Sequence, residues 1–376
     1  MMKRTKLDGK ACMITLRGES TASDENALLG AYRQAISDGC RAVILDFTEM
    51  SHMDSGGASL LVKLSVEARR ERQPLAAFGL GSNFRQVFRL TGLDRAIHVR
   101  DSLAQAIAAC GVPLPTQQPA AEGVGSPSGA SPQPQPEEQT HTRDTWAQLV
   151  GRLKVPQMPA HALDLNVDGC RPVGPVEGFG PMWQKTYRIL LDGIAPTEAI
   201  RVLKDNFPSF QPPENRFYPS SSGIQPGEVV LINASTTGFP VATGVLVLYA
   251  DEESFTLMTP QGHPESGWVT FSASTQDRRT LVQIQGLARA SDPLYEVAFR
   301  LAGSKAQERI WRHVLASMAS HLGVEASVDV QKVCVDAGLQ WGAIGNLWFN
   351  AQIRTMGYLA ITWPFRSLRR LFPSRQ

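Results

Sequence analysis

Two hydrophobic rhythms alternate along the first third of the chain. Residues 43–47 form a short apolar run of strand length. A polar stretch follows, and Met53-Asp54-Ser55-Gly56-Gly57 leads into Ala58, Leu60, Leu61 and Leu64 at helical spacing. This reads as strand, loop, tight turn and helix. Around it the pattern predicts strands at 11–16, 41–47, 74–79 and 97–99, with helices at 26–37, 59–70, 83–90 and 102–109 between and after them. Strands and helices alternating at this spacing predict one small α/β domain with a mixed or mostly parallel sheet over residues 1–111.

The rhythm then stops. Over residues 112–145 prolines recur among Gln, Ser, Gly and Glu, a composition that buries too little to repay ordering, so the stretch reads as a flexible tether. A second domain spans residues 146–335. A lead-in at 146–163 is read with a helical turn or two before Pro156. A strand at 182–191, a helix at 195–207 and a proline-rich loop follow. Strands are predicted at 229–234, 244–250, 254–258, 268–275 and 280–288. Residues 294–322 repeat apolar positions at three and four, as one long helix that Gly303 could interrupt. The order predicts an α+β fold, an antiparallel sheet curved round a long C-terminal helix with an apolar concavity between them.

The last segment, 336–376, carries five arginines and no acidic residue beyond Asp336, with aromatics and leucines interspersed. Two readings stay open for this basic amphipathic tail: a helix packed on the second domain, or an interfacial segment making peripheral contact with an anionic membrane.

Composition narrows the picture modestly. The chain has 376 residues, a formal net charge of +2 and five cysteines. Near-neutral charge spread along the chain argues against a dedicated nucleic-acid binder, so no specific nucleic acid is expected as a partner. Few, widely spaced cysteines with no Cys-x-x-Cys read as reduced, mostly buried thiols of a cytoplasmic protein. No signal peptide and no apolar run long enough to span a bilayer are read.

Candidate chemistry centres on Ser55. Its hydroxyl is expected to be exposed where a helix begins, able to cap that helix or to carry a phosphate facing the free N–H groups and the positive end of the helix dipole. Asp54 reads as an orienting residue, and Gly56 and Gly57 as positions of close approach or positive φ. In the second domain His263 and Glu265 occupy a loop between strands, where they could contact a ligand or work as an acid–base pair. Arg216, Tyr218 and Tyr249 are candidates for the rim or lining of a pocket. His313 and His321 lack an acidic companion at a diagnostic offset, so neither a metal nor another cofactor is expected.

The phrases "RAVILDFTEMSHMDSGGASLL" and "LAAFGLGSNFRQVFRLTGLDRAIHVRDSLAQAI" resemble the STAS domain of anti-sigma factor antagonists and of sulfate-transporter tails. The resemblance implies that Ser55, directly after the aspartate, is phosphorylated by a kinase-like anti-sigma factor. The unmodified form would bind that partner and the phosphorylated form would let go. Two departures stand out: Gly56 replaces the second serine of the common Asp-Ser-Ser-Gly turn, and "RGESTASDENA" lacks the usual Leu-Asp. In the second domain "GHPESGWVTFSA", "LARASDPLYEVAFRL" and "ERIWRHVLASMASHLGV" resemble an uncharacterised bacterial subgroup of the SRPBCC or START-like helix-grip superfamily, which implies an apolar small-molecule ligand. The combined expectation is a non-enzymatic, phosphorylation-switched regulator tethered to a ligand-binding domain. The alternative is a lipid- or polyketide-binding protein in which STAS is a scaffold or oligomerisation module. A third class is a hydrolase or cyclase using His263 and Glu265.

Overall fold

The computed structural model describes residues 3–7, 11–111, 145–156, 158–159, 162–236 and 239–371. The chain divides into two compact units, Met1–Trp146 and Ala147–Gln376. The proline-rich tether read at 112–145 lies, except for Thr145, outside the described residues.

In the first unit five strands lie in sequence order: β1 (Lys3–Lys6), β2 (Ala11–Ser20), β3 (Ala42–Met53), β4 (Leu75–Phe78) and β5 (His98–Val99). β1 pairs antiparallel with β2, and the remaining neighbours are parallel, so the sheet is mixed. Helices α1 (Glu25–Ser37), α2 (Ser55–Arg70), α3 (Ser82–Thr91) and α4 (Leu103–Ala109) connect or follow the strands. β1, short and mostly exposed, carries no apolar run to announce it. β3 continues to Met53, well past its apolar run, because the polar residues after Phe47 still pair with β2.

The parallel pairing of β2 with β3 also sets Cys12 beside Val43, and Cys12 and Cys40 form a disulfide with 5.8 Å between their Cα atoms. This corrects the reading of five reduced thiols: residues 28 apart in sequence are brought together by neighbouring strands, which spacing alone does not reveal. Cys110, Cys170 and Cys334 are free.

The second unit is built on an eight-stranded antiparallel sheet. Its strands are β6 (Met182–Leu191), β7 (Asn215–Tyr218), β8 (Val229–Thr236), β9 (Phe239–Ala250), β10 (Ser254–Met258), β11 (Glu265–Gln276), β12 (Arg279–Ala290) and β13 (Asp329–Asp336). They run in the spatial order β13-β6-β12-β11-β10-β9-β8-β7. β12 alternates buried and half-buried residues, the mark of a strand with one covered face. β9 is buried without a break from Val241 to Ala250. One of its faces meets the main core, and the C-terminal helix α8 (Ala351–Leu371) lies along it, where the Ala242 N–H donates to Thr355 Oγ1 at 3.1 Å. Asp277 and Arg278 take positive φ, 49° and 65°, and close the tight β11–β12 turn.

Helix α5 (Pro196–Asp205) buries Ala199, Ile200, Val202 and Leu203 in the main core. The long C-terminal pattern resolves into α6 (Pro293–Ala298), a π-turn (Phe299–Gly303) ending at the glycine read as an interruption, and α7 (Ser304–His321). α7 packs Val314, Leu315 and Met318 into the same core as Phe207, Phe255 and Phe271. Residues 146–155, where a helical turn or two is expected before Pro156, are not helical. They are tied down by backbone bonds such as Leu153 N–H to Cys170 O, and Leu153 packs with Val167, Leu231 and Leu246. The tail belongs to the second unit: a 3₁₀ stretch, Trp341–Phe349, leads into α8. Among the described residues no helix is long and apolar enough to cross a membrane.

Candidate functional site

In the first unit the chemistry sits where β3 hands over to α2. Asp54 is extended, with φ −86° and ψ −179°, and its Oδ1 accepts the Gly57 N–H at 2.7 Å. Asp54 is therefore the N-cap, and Ser55 is the first helical residue rather than the cap. The helix begins four residues earlier than the apolar spacing indicates, because the aspartate cap compensates for two glycines of low helix propensity.

Those glycines are there for space, not for positive φ. A Cβ on Gly57 would lie 2.5 Å from the Ser20 carbonyl oxygen, and one on Gly56 would lie 2.7 Å from the Ala22 nitrogen. The end of β2 and the 3₁₀ turn Ala22–Asp24 press directly against the head of α2. This accounts for Gly56 in place of the second serine: a serine side chain there would collide with backbone.

Ser55 itself is only 2% exposed. The expectation of an exposed hydroxyl is wrong for this conformation. Its carbonyl accepts from Ser59 Oγ at 2.9 Å, and α2 is buried on every face from Ser55 to Val66. Trp146, the last residue of the unit, is tied to the strand that leads into this turn. Its indole N–H donates to the Met53 carbonyl at 3.0 Å, two residues before Ser55, and the ring is buried. Further along α2, Lys63 reaches Glu25 at 2.6 Å, and burial pulls its pKa below the usual lysine range. Glu49, a neighbour of Ser55 in sequence, is paired with Arg17.

In the second unit a cavity of about 450 Å³ opens between the concave face of the sheet and the α6–α7 region. Its walls are mostly apolar, with Phe217, Leu257, Trp268, Ile310 and Trp311 among them. Alternate residues in the first half of β6 face it, so Trp183, Lys185 and Tyr187 line one wall, while Ile189 and Leu191 continue the row into the main core. Lys185 Nζ donates to Gln307 Oε1 at 2.5 Å, and Gln307 Nε2 donates to Glu265 Oε2 at 2.5 Å. Burial lowers the Lys185 pKa and raises that of Glu265, while their mutual attraction opposes both shifts.

His263 lines the same cavity, and burial pushes its pKa down to about 4. Its Nδ1 lies 3.0 Å from both the backbone N–H and the carbonyl of Glu265, so it engages the main chain. The Glu265 carboxylate turns instead to Gln307. His263 and Glu265 are thus neighbours on one wall but are not joined as an acid–base dyad.

The other three candidates lie elsewhere. Arg216 is exposed on β7, because strand alternation turns Asn215 and Phe217 inward. Tyr218 packs with the cluster around Val167 and Leu231. Tyr249 is buried and donates its hydroxyl to Asp251 Oδ2 at 2.5 Å. Lys185, Tyr187 and Gln307 were not singled out from the sequence. For the first two a signal existed: in "MWQKTYRILL" Lys185 and Tyr187 fall on the same alternate positions as Ile189 and Leu191, so they interrupt an inward-facing apolar row. Gln307, on a helix with many polar residues, has no such mark. Among the described residues no cluster of three or more His, Cys, Asp or Glu side chains could hold a metal ion.

Comparison with known proteins adds the following. Residues 4–103 match the family described as "Mlab, STAS domain". No curated protein matches the chain. Among solved structures, the Bacillus cell-fate determinant SpoIIAA in its phosphorylated form is 21% identical, with a TM-score of 0.25, over 29% of this chain and 97% of that one. An anti-sigma factor antagonist from Mycobacterium paratuberculosis is 22% identical, with a TM-score of 0.26, over 30% and 93% respectively. Protein Ms6760 from Mycobacterium smegmatis is 12% identical, with a TM-score of 0.29, over 37% and 90%. With its mixed sheet, its Asp54-capped α2 and the family match, the segment 4–103 is a STAS domain, similar to those of anti-sigma factor antagonists.

Proposed function

We propose that the first unit is a partner-exchanging regulatory module of the antagonist type, switched by phosphorylation of Ser55, and that the second unit holds an apolar small molecule in its cavity. The observation that carries the first half is the placement of Ser55 directly after the capping Asp54 at the head of α2, inside a segment matched to a STAS family. Burial of Ser55 changes how such a switch works. A kinase reaches the hydroxyl only when the turn opens. A phosphate then adds about −1.5 to −2 charge, which the closed turn has no room or solvent to accommodate. Modification therefore traps the open state, and the two forms of the turn present different surfaces to a kinase-like anti-sigma factor.

The second half rests on the cavity between an antiparallel sheet and a long helix, an arrangement that fits the helix-grip reading. On this account neither unit is an enzyme: His263 Nδ1 is engaged by the Glu265 main chain while the Glu265 carboxylate turns to Gln307, so the two do not work as an acid–base pair. The enclosure of Ser55 also favours a second reading, in which the protein binds and transfers a lipid- or polyketide-like molecule and the STAS domain serves as a scaffold. On that reading the exposed Trp341 and Trp348, together with the basic tail, supply contact with a membrane surface.

One experiment separates the two readings. The full chain is incubated with ATP and the anti-sigma kinase of its own organism, the phosphate is mapped by mass spectrometry, and kinase binding is compared for Ser55→Ala and Ser55→Asp. Phosphate at Ser55, with retained binding by Ser55→Ala and at least tenfold weaker binding by Ser55→Asp, is expected. Phosphate elsewhere, or equal binding by both variants, leaves the scaffold reading standing.

A further inference from the structure

The polar wall of the second-unit cavity carries one positive and one negative group joined by one amide. Gln307 accepts from Lys185 and donates to Glu265, and all three line the cavity. Whether the proton sits on the lysine or on the carboxylate, the wall is neutral as a whole. Other charged groups of the lining are answered by partners of their own: Arg289 by Asp336 at 2.9 Å, Arg300 by Glu296 at 2.6 Å, and Lys332 by Glu308. Arg309 faces Glu214 at 3.7 Å.

This balance decides what can enter. A carboxylate placed at the wall would gain Lys185 but meet Glu265 as a like charge, and an ammonium group would meet Lys185 in the same way. In a poorly hydrated cavity like charges at close range are costly. An uncharged oxygen function avoids both penalties. An ammonium has three N–H donors, and only one of those on Lys185 is engaged by Gln307. Glu265 likewise retains acceptor positions beyond the one Gln307 occupies. A hydroxyl or carbonyl can therefore accept from Lys185, and a hydroxyl can also donate to Glu265, without breaking the amide bridge. The remaining walls suit an apolar body, and the volume is in the range of small-molecule sites.

We propose that this cavity selects an uncharged, largely apolar molecule bearing an alcohol or ketone oxygen, seated against Lys185, Gln307 and Glu265, and discriminates against a fatty acid or alkylamine of the same length. The inference deepens the ligand-binding reading of the second unit and rests on it.

The test uses the full chain at pH 7 with the neutral fluorophore N-phenyl-1-naphthylamine as reporter. Displacement is measured with 1-decanol, 2-decanone, decanoate and decylamine. In the unaltered protein decanol and decanone are expected to displace the probe at least tenfold more effectively than decanoate or decylamine. Glu265→Gln leaves Lys185 without its counter-charge and should raise decanoate affinity at least tenfold. Lys185→Met should do the same for decylamine. Decanoate binding as tightly as decanol in the unaltered protein overturns the proposal, a result that needs no variant to fold. So does an unchanged alcohol-to-acid ratio in folded Glu265→Gln. If the reporter binds nowhere and no compound binds by calorimetry, the ligand-binding reading fails and the selectivity claim with it.

Discussion

The two units treat a polar group near an apolar core in opposite ways. At the head of α2 the chain closes tightly: Asp54 caps the helix, two glycines allow backbone to press on backbone, and Ser55 is enclosed. Against the sheet of the second unit the chain leaves a space and lines one wall with a balanced Lys185–Gln307–Glu265 chain. A polar group in a closed site can act only by opening it. A polar group facing a cavity can act on whatever enters. The first arrangement suits a two-state switch and the second a holder of small molecules.

Substitutions can break this contrast, and the largest effect is expected at Arg289. Its side chain is fully buried, with Nη1 donating to the Gly180 carbonyl at 3.1 Å and Nη2 to Asp336 at 2.9 Å. Arg289→Ala empties a fully buried site and takes the charged partner from Asp336, which keeps the Gly338 N–H and Gln340, so the loss should be about 2–4 kcal/mol, most of it from the emptied site. Chemical denaturation followed by the fluorescence of second-unit tryptophans reads this loss. A shift below about 1 kcal/mol would mean the cavity wall is looser than described.

His263 gives a pH signature. Its pKa falls from 6.5 to about 4 on folding, chiefly through burial, so between those values the unfolded chain binds more protons than the folded one. Stability from this group is complete above about pH 6.5 and is lost as pH falls toward 4, by roughly 3 kcal/mol in total. The pH profile of His263→Asn, subtracted from that of the unaltered protein, should show this slope. A flat difference would contradict an enclosed, neutral imidazole.

In the first unit Gly57→Ala puts a methyl 2.5 Å from the Ser20 carbonyl, and backbone must move to admit it. A loss of about 2 kcal/mol in the unfolding of that unit is expected. A neutral result would mean that α2 is not pressed against the end of β2. Lys63→Met should matter least. Replacing a buried cation with an apolar chain of similar length leaves Glu25 partly open to water, and the change in stability should stay below about 1 kcal/mol.

Much of the architecture was legible in the amino-acid pattern, for physical reasons that also explain the failures. β6 and β10 were readable to the residue, since apolar positions and turn residues coincide with their ends. Helices α1 and α3 were readable because each buries one stripe, whereas α2 is enclosed on every face and only its later apolar spacing announced it. β7 was hidden in a proline-rich stretch, and β13 lies at the sheet edge with most of its residues exposed, so its pairing with β6 leaves little hydrophobic trace. The position of Ser55 was legible from "MDSGG". Its burial was not, because the head of α2 is pressed by backbone more than 30 residues earlier, at Ser20 and Ala22, a closeness that local spacing does not announce. At the cavity Glu265 and His263 were found from local motif, whereas Gln307, 42 residues beyond Glu265, is joined to it only by folding.

The account turns on whether charge at position 55 forces the closed turn to open. Hydrogen–deuterium exchange across residues 53–60 of the full chain, compared between the unmodified protein and protein carrying a phosphate on Ser55 installed during translation, tests this directly. The account predicts strong protection in the unmodified form and at least tenfold faster exchange at Gly56 and Gly57 in the phosphorylated one. Equal protection in both forms would contradict it.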